Sequence, residues 1–232
     1  SDYDNKTIVL RKSLEKEDAQ QIVEEKKTSL FKTLLNRPKR EEVHIDSLGL
    51  YYECILLVSG KYAANYFRKA THTISVPSNV NEVVFGDGIF PIRSKSGFEK
   101  AFSGKHGKNK VDLTLEEHVF VEQENEIYFD HHGREIKFPF KIDSKAIENY
   151  PKRLLEDNQE NLRLQEITDE AAIDKLKERL QRPVEPDVRD LSDEFVLQGI
   201  TQIYVPVFEA RLIGPKKKVG IIRIDAVRKK IL

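Results

Sequence analysis

The chain has 232 residues, with 39 Lys and Arg against 39 Asp and Glu, and so no formal net charge. At roughly 150 residues per domain the length fits one large domain or two small ones, and 39% apolar residues with 11 Gly can offset the entropy of ordering, which excludes a disordered, collagen-like or low-complexity chain. No run approaches the roughly 18 apolar residues of a membrane helix, and neutrality excludes a protein built only to coat nucleic acid or an anionic membrane, leaving at most a local patch.

Thr7-Ile8-Val9-Leu10 predicts a short strand. Ser13 is a candidate helix N-cap, with Glu15, Glu17 and Asp18 in the first turns, where the helix dipole favours anions. Ala19, Ile22, Val23, Leu30, Phe31 and Leu34 follow at three-and-four spacing, so an amphipathic helix is expected up to Arg37-Pro38. Leu50 to Ser59 is apolar and rich in Tyr, Ile and Val, the composition of a buried strand, and Gly60-Lys61 reads as a turn. Thr71 to Val76 alternates and stops at Pro77. Glu82 to Phe85 and Ile89 to Ile92 flank Gly86-Asp87-Gly88, a hairpin signal.

Residues 93–110 read as a long surface loop of Gly, Ser and basic side chains. Strand character resumes at Val119-Phe120-Val121 and Glu126 to Phe129, turns at Asp130-His131-His132-Gly133, and returns to Phe140. A polar stretch, helical in part near Pro151, leads to Thr168. Thr168 opens a second helix with the stripe Ala172, Ile173, Leu176 and Leu180, ending near Arg182-Pro183. The chain closes with strands over Ile203 to Ile213 and Val219 to Ala226 around a turn at Gly214 to Lys218. In the last strand Ile222 and Ile224 alternate with Arg223 and Asp225, the pattern of a half-exposed antiparallel strand.

These elements predict an α+β fold, with helices packed on curved antiparallel sheets. The expected division is an N-terminal α+β unit (1–92), a basic and acidic loop region (93–116), a hairpin and helical connector (117–167) and a C-terminal α+β unit (168–232). An internal repeat is suggested, because Ala19 to Tyr52 and Ala171 to Tyr204 both span 33 residues, each pair joining a helix to a Tyr-led strand.

Thr168-Asp169-Glu170-Ala171-Ala172 opening a helix, Tyr204-Val205-Pro206-Val207-Phe208-Glu209-Ala210, and the terminal Ile222-Arg223-Ile224-Asp225-Ala226 together resemble a PepSY-like module. That resemblance covers the last 65 residues or so. It implies a helix over a curved antiparallel sheet and an inhibitory, regulatory or accessory role, hence a binding module.

The basic loop carries Arg93, Lys95, Lys100, Lys105, Lys108 and Lys110 against the single Glu99, with Phe98 and Phe102 among them. Such a loop could clamp a phosphate backbone and stack bases, which makes nucleic acid the alternative partner. Against this, 112–126 holds six carboxylates and no Lys or Arg, enough to neutralise the loop internally. Gly104-Lys105-His106-Gly107-Lys108 misses the phosphate-loop spacing. Adjacent imidazoles at His131-His132 diverge on a strand and are expected to be solvated in a turn, so no metal site is expected. Cys54, alone in the chain, sits in an apolar run and reads as an inert core thiol. Asp225 is expected to be an exposed partner of Arg223 or Lys217. No nucleophile motif and no cofactor fingerprint is present. Among the strand aromatics, Tyr62 and Tyr66, with Arg68 beside them, are expected on an uncovered face as a protein or peptide contact.

The expectation is therefore a non-enzymatic binding or accessory protein that acts through sheet surfaces, alone or within a larger assembly. Its partner would be a protein or peptide, with no membrane and no cofactor. The polar start Ser1-Asp2-Tyr3-Asp4 gives no signal-peptide pattern, so cytoplasmic residence is the default.

Overall fold

A computed structural model describes residues 3–94, 107–181 and 185–232. The fold is mixed α+β, and no helix among the described residues is long and apolar enough to cross a membrane. The strands are β1 (Asp4–Val9), β2 (His44–Val76), β3 (Glu82–Phe85), β4 (Gly88–Pro91), β5 (Asn109–Phe129), β6 (Glu135–Ile136), β7 (Leu162–Arg163), β8 (Arg189–Ile213), β9 (Val219–Asp225) and β10 (Lys230–Ile231). The helices are α1 (Lys16–Lys26), α2 (Pro151–Asp157) and α3 (Asp169–Gln181). Residues group into two compact units, each assembled from segments distant in sequence.

The first unit comprises 1–61, 124–180 and 196–232. Its strand order is β10-β9-β8-β2-β5-β6. Antiparallel pairing joins β8 to β9, β9 to β10 and β5 to β6. Two pairings are parallel: β1 runs along Gly199–Tyr204 of β8, and β7 joins β2 at Tyr52 and Glu53. The expected antiparallel sheet is thus extended by two short parallel strands. β1 falls where Thr7-Ile8-Val9-Leu10 predicts a short strand, whereas β7 is two residues in a stretch read as polar.

Side chains alternate across a strand, so each strand serves two faces. On one face Phe208, Ala210 and Leu212 of β8 and Ile222 and Ile224 of β9 share a buried cluster with Leu14, Ala19, Val23 and Val43. Each such large side chain, fully buried, contributes about 1.5–3 kcal/mol. The Phe31 ring belongs to this side, and a Cβ on Gly214 would lie 2.5 Å from it, so only Gly fits there. On the other face Leu10, Ile55, Ile203 and Val205 are buried, with Ile136, Phe138 and Phe140 laid against them. Phe138 stacks on Tyr128 at 4.5 Å.

α1 is shorter than its apolar spacing predicts. Its N-cap is Glu15 rather than Ser13, whose hydroxyl instead donates to the carbonyls of Ala226 and Val227. It gives way to a 3-10 turn at Lys27–Phe31, and Leu34 and Leu35 beyond are exposed. α3 follows expectation: the Ala171 N–H donates to the Thr168 hydroxyl at 3.1 Å, and Ala172, Leu176 and Leu180 are buried. In the 33-residue register Ala19 is buried but Ala171 is exposed, while Tyr52 and Tyr204 lie in one cluster with Val9 and Cys54.

The second unit comprises 62–123 and 181–195. Gly60-Lys61 is not a turn, because the strand continues and Tyr62, Ala64 and Tyr66 keep the inward alternation. Tyr62 and Tyr66 are therefore buried, 1% and 3% exposed, rather than presented to a partner. The Tyr62 hydroxyl donates to Asp193 at 3.0 Å, and burial with that contact pushes its pKa up to about 12. β3 and β4 form the expected hairpin, with Gly86 at φ +60°, a conformation glycine adopts without strain.

Candidate functional site

A cleft of about 290 Å³ opens on the second face of the first unit's sheet. Its floor is Ile55, Val205 and Val207, and its wall is the segment after the β5–β6 turn, with Ile136, Pro139 and Phe140. The polar lining is Glu53, Asp130, His131, Arg134, Lys137, Arg223, Asp225 and Arg228. Odd-numbered positions of β2, β8 and β9 point to this face, the tight turn at 130–133 carries His131 over it, and the segments after that turn and after β9 supply the rest. The turn closes through the Gly133 N–H, which donates to the Asp130 carbonyl at 2.9 Å, with Gly133 at φ +83°.

Glu53 is the centre of an ion cluster. It is 8% exposed and accepts hydrogen bonds from Arg163 Nη1 at 2.8 Å and from Arg223. Arg163 also grips Glu209 with both terminal nitrogens, at 3.0 and 2.6 Å. Arg223 Nε approaches Glu209 at 3.5 Å. The grip of Arg163 holds the Glu209 carboxyl below its ordinary range, and Glu209, followed by Glu53, holds Arg163 above its own. His131 Nδ1 stands 4.0 Å from Glu53. Burial lowers the His131 pKa, opposed by the Glu53 charge, so the ring is neutral at physiological pH.

Asp225 is 1% exposed, contrary to its expected place at the surface. Its carboxylate accepts from the N–H groups of Val227 and Arg228, at 2.8 and 2.9 Å, and from Arg228 Nε at 2.6 Å. This carboxylate shapes the turn into β10 rather than meeting solvent. The Arg228 guanidinium lies 5.2 Å from the Phe140 ring centroid, within cation–π range.

Cys54 carries no chemistry into the cleft. Its side chain lies in the cluster with Val9, Tyr52 and Tyr204, across the strand from Glu53 and Ile55. Burial pushes its thiol up to about 12, so no thiolate forms at neutral pH. His131 and His132 are not both solvated, as their turn position suggested: His131 is largely buried, while His132 is half-exposed beside Glu166 at 3.3 Å. No group of three metal-ligating side chains occurs among the described residues.

Of the basic-loop residues, Lys95, Lys100 and Lys105 lie outside the described residues. Arg93 donates from Nε to Asp112 at 2.9 Å and from Nη2 to the Thr73 hydroxyl at 3.1 Å. Arg93, with Thr73, holds the Asp112 carboxyl down at about 2, so Arg93 is engaged by the acidic run rather than presented to phosphate. Lys108 and Lys110 are exposed. Arg68 is bonded to Glu117 at 3.2 Å and Glu185 at 2.8 Å. None of these lines the cleft.

The carboxylates of the ion cluster carried a signal in the sequence. Glu53 interrupts Tyr51-Tyr52-Glu53-Cys54-Ile55-Leu56-Leu57, and Glu209 interrupts Val205-Pro206-Val207-Phe208-Glu209-Ala210. A lone charge inside an apolar strand is buried with a partner or pays a large desolvation penalty. Arg163, in a polar stretch, had no such mark. Compared with known families, curated proteins and solved structures, the chain matches none.

Proposed function

We propose that the chain is a binding or accessory protein that acts through the second face of its sheet. An apolar side chain from a partner peptide or protein seats against Ile55, Val205 and Phe140, and polar groups beside it meet Arg223 and Arg228. The observation that carries this is the engagement of the carboxylates in and behind the cleft by arginines. Arg163 and Arg223 bridge Glu53 and Glu209, and Arg228 holds Asp225. Groups so paired give a fixed pattern of charge for recognition. A general base needs a lone pair free to take a proton, and a nucleophile needs an activated atom. The volume supports the same reading, since about 290 Å³ lies at the small end of ligand pockets, roughly 300–1,000 Å³, and suits a side chain better than a cofactor. The PepSY-like resemblance of the last 65 residues points the same way.

The test is titration of the isotopically labelled chain with N-acetyl-Phe-Asp and N-acetyl-Leu-Asp, read by amide chemical shifts. Saturable shifts at Ile55, His131, Val207 and Arg223 are expected, and Val205→Phe, which fills the cleft, abolishes them. Shifts confined to other residues overturn the proposal. So does turnover of ester, phosphoester or glycoside substrates at a rate lost in His131→Ala.

A further inference from the structure

Two tight turns of the first unit hold residues that turn chemistry does not favour. The first is the turn at 33–36. The Thr33 N–H donates to the Asn36 carbonyl at 2.9 Å, and the Asn36 N–H donates to the Thr33 hydroxyl at 3.0 Å. Leu34 and Leu35 stand at its apex, 106% and 100% exposed. Gly, Pro, Asn, Asp and Ser dominate such positions, because they shape the backbone or bond to it. Leucine does neither, and leaving two of them in water forgoes the gain from burial. The apex is nevertheless held, since Phe31 packs on Gly214 and Gly220 before it and Pro38 is buried after it.

The second turn is at 215–218, where the Lys218 N–H donates to the Pro215 carbonyl at 3.3 Å. Its central residues, Lys216 and Lys217, have φ of 58° and 59°. A turn with positive φ at both centres favours Asn-Gly, and a longer side chain held there is strained. Two lysines give up that ease and present charge instead. The two turns are neighbours, because the Phe31 ring lies against Gly214. At no more than about 3.6 Å per residue, the leucine apex and the lysine apex lie within about 25 Å of each other.

From Lys26 to Arg40 the chain has six basic side chains and no acidic one. Lys32 and Arg37 flank the leucine apex. Like Lys216 and Lys217 they are exposed, and none of the four has an ion-pair partner among the described residues. Shape and charge together select a partner. The leucines form a projecting wedge, so the partner must yield around them. The cations are oriented by no bond, so the partner must offer anions without a fixed pattern. A fluid layer of anionic lipid meets both needs, whereas an acidic protein segment supplies the charge and no apolar depth.

We propose that this end of the first unit docks on an anionic membrane surface. Leu34 and Leu35 enter the boundary between head groups and acyl chains, and Lys32, Arg37, Lys216 and Lys217 lie among the head groups. Phe31 packs on the sheet face opposite the cleft, and none of these residues lines the cleft, so the proposal stands whether or not the cleft is occupied.

The experiment floats the full chain with vesicles of phosphatidylcholine alone and of phosphatidylcholine with about 30 mol % phosphatidylserine. Partitioning onto the anionic vesicles should be at least about tenfold stronger, and it should fall at least about tenfold in roughly 0.5 M salt. Lys216→Asn with Lys217→Gly gives the turn its favoured residues. That variant should melt no lower than the parent and should lose at least about fivefold of the partitioning. Leu34→Ser with Leu35→Ser should lose at least as much, with an unchanged circular dichroism spectrum. The chain has no Trp, so the emission of Leu35→Trp reports the apex. It should shift to the blue on anionic vesicles and be quenched by lipid brominated in its acyl chains. Absent partitioning, equal partitioning onto both vesicles, indifference to either double variant, or unquenched emission overturns the proposal. So does salt-sensitive binding of polyglutamate by a chain that ignores the vesicles, because the partner would then be an acidic protein.

Discussion

Replacing Glu53 by Gln keeps the shape of the side chain and removes its charge. In the native protein this carboxylate, 8% exposed, accepts from both Arg163 and Arg223. Gln retains one acceptor oxygen and turns an amide N–H₂ toward a guanidinium. Losing one partner of a fully buried ion pair costs about 3–5 kcal/mol, and a single hydrogen bond to a charged group is worth about 1.5–3 kcal/mol. The two arginines are 27% and 32% exposed and keep Glu209, so the lower range applies. The expected loss is about 2 kcal/mol, or roughly 4–8 °C in Tm for a chain of this size. Thermal denaturation followed by circular dichroism at neutral pH measures it. The loss should persist in about 0.5 M salt, because buried pairs are poorly screened. Arg179→Ala, which breaks the exposed pair with Glu135 at 2.5 Å, is the control and should cost under about 1 kcal/mol, less in salt. A Glu53→Gln protein melting within about 1 °C of the parent, or a loss that disappears in salt, would refute the reasoning that a desolvated anion here joins two cations.

Three further outcomes follow from other parts of the fold. His131 has a folded pKa below its unfolded value, so the unfolded chain binds the extra proton first; stability falls as pH drops through about 6.5 and levels off below the folded pKa. His131→Asn should remove that part of the decline, and an unchanged profile of Tm against pH would refute the assignment. Cys54 should resist thiol reagents in native buffer at mildly alkaline pH and react fully on denaturation; native labelling at the rate of a free thiol would show that the thiol is not buried. Tyr62→Phe removes the bond to Asp193 and should cost about 1 kcal/mol in denaturant titration, while a neutral result would mean that Asp193 is already satisfied by solvent.

What could be read in advance followed the range of the interactions involved. The stripe of α3, its Thr168 cap and the turns at Gly86 and Gly133 are set by neighbours a few residues apart, and they appear as expected. The extension of α1 through Leu34 failed because Leu30 and Phe31 continue the helical spacing, while Phe31 is in fact drawn onto Gly214 and Gly220 of the sheet. Gly60 misled in the same way, since a glycine inside a strand looks like a turn until the alternation on both sides is joined. The acidic run 112–126 hid a strand because its carboxylates meet cations from elsewhere, Asp112 with Arg93, Glu116 with Arg189 and Glu117 with Arg68. The cleft was the least legible part. Glu53, His131, Arg163 and Arg223 come together only through strand register and one parallel pairing, and no local pattern encodes either.

The parallel match of β1 with β8 has a bearing on biosynthesis. Asp4–Val9 finds its neighbour only at Gly199–Tyr204, and Ser13 then binds the carbonyls of Ala226 and Val227. At about 5–20 residues per second, the ribosome needs on the order of 10–40 s to deliver that neighbour after the first strand has emerged. For this interval β1 waits with its hydrogen-bonding groups unclaimed, so a strand made long before its neighbour is among the last parts of the fold to be locked in place.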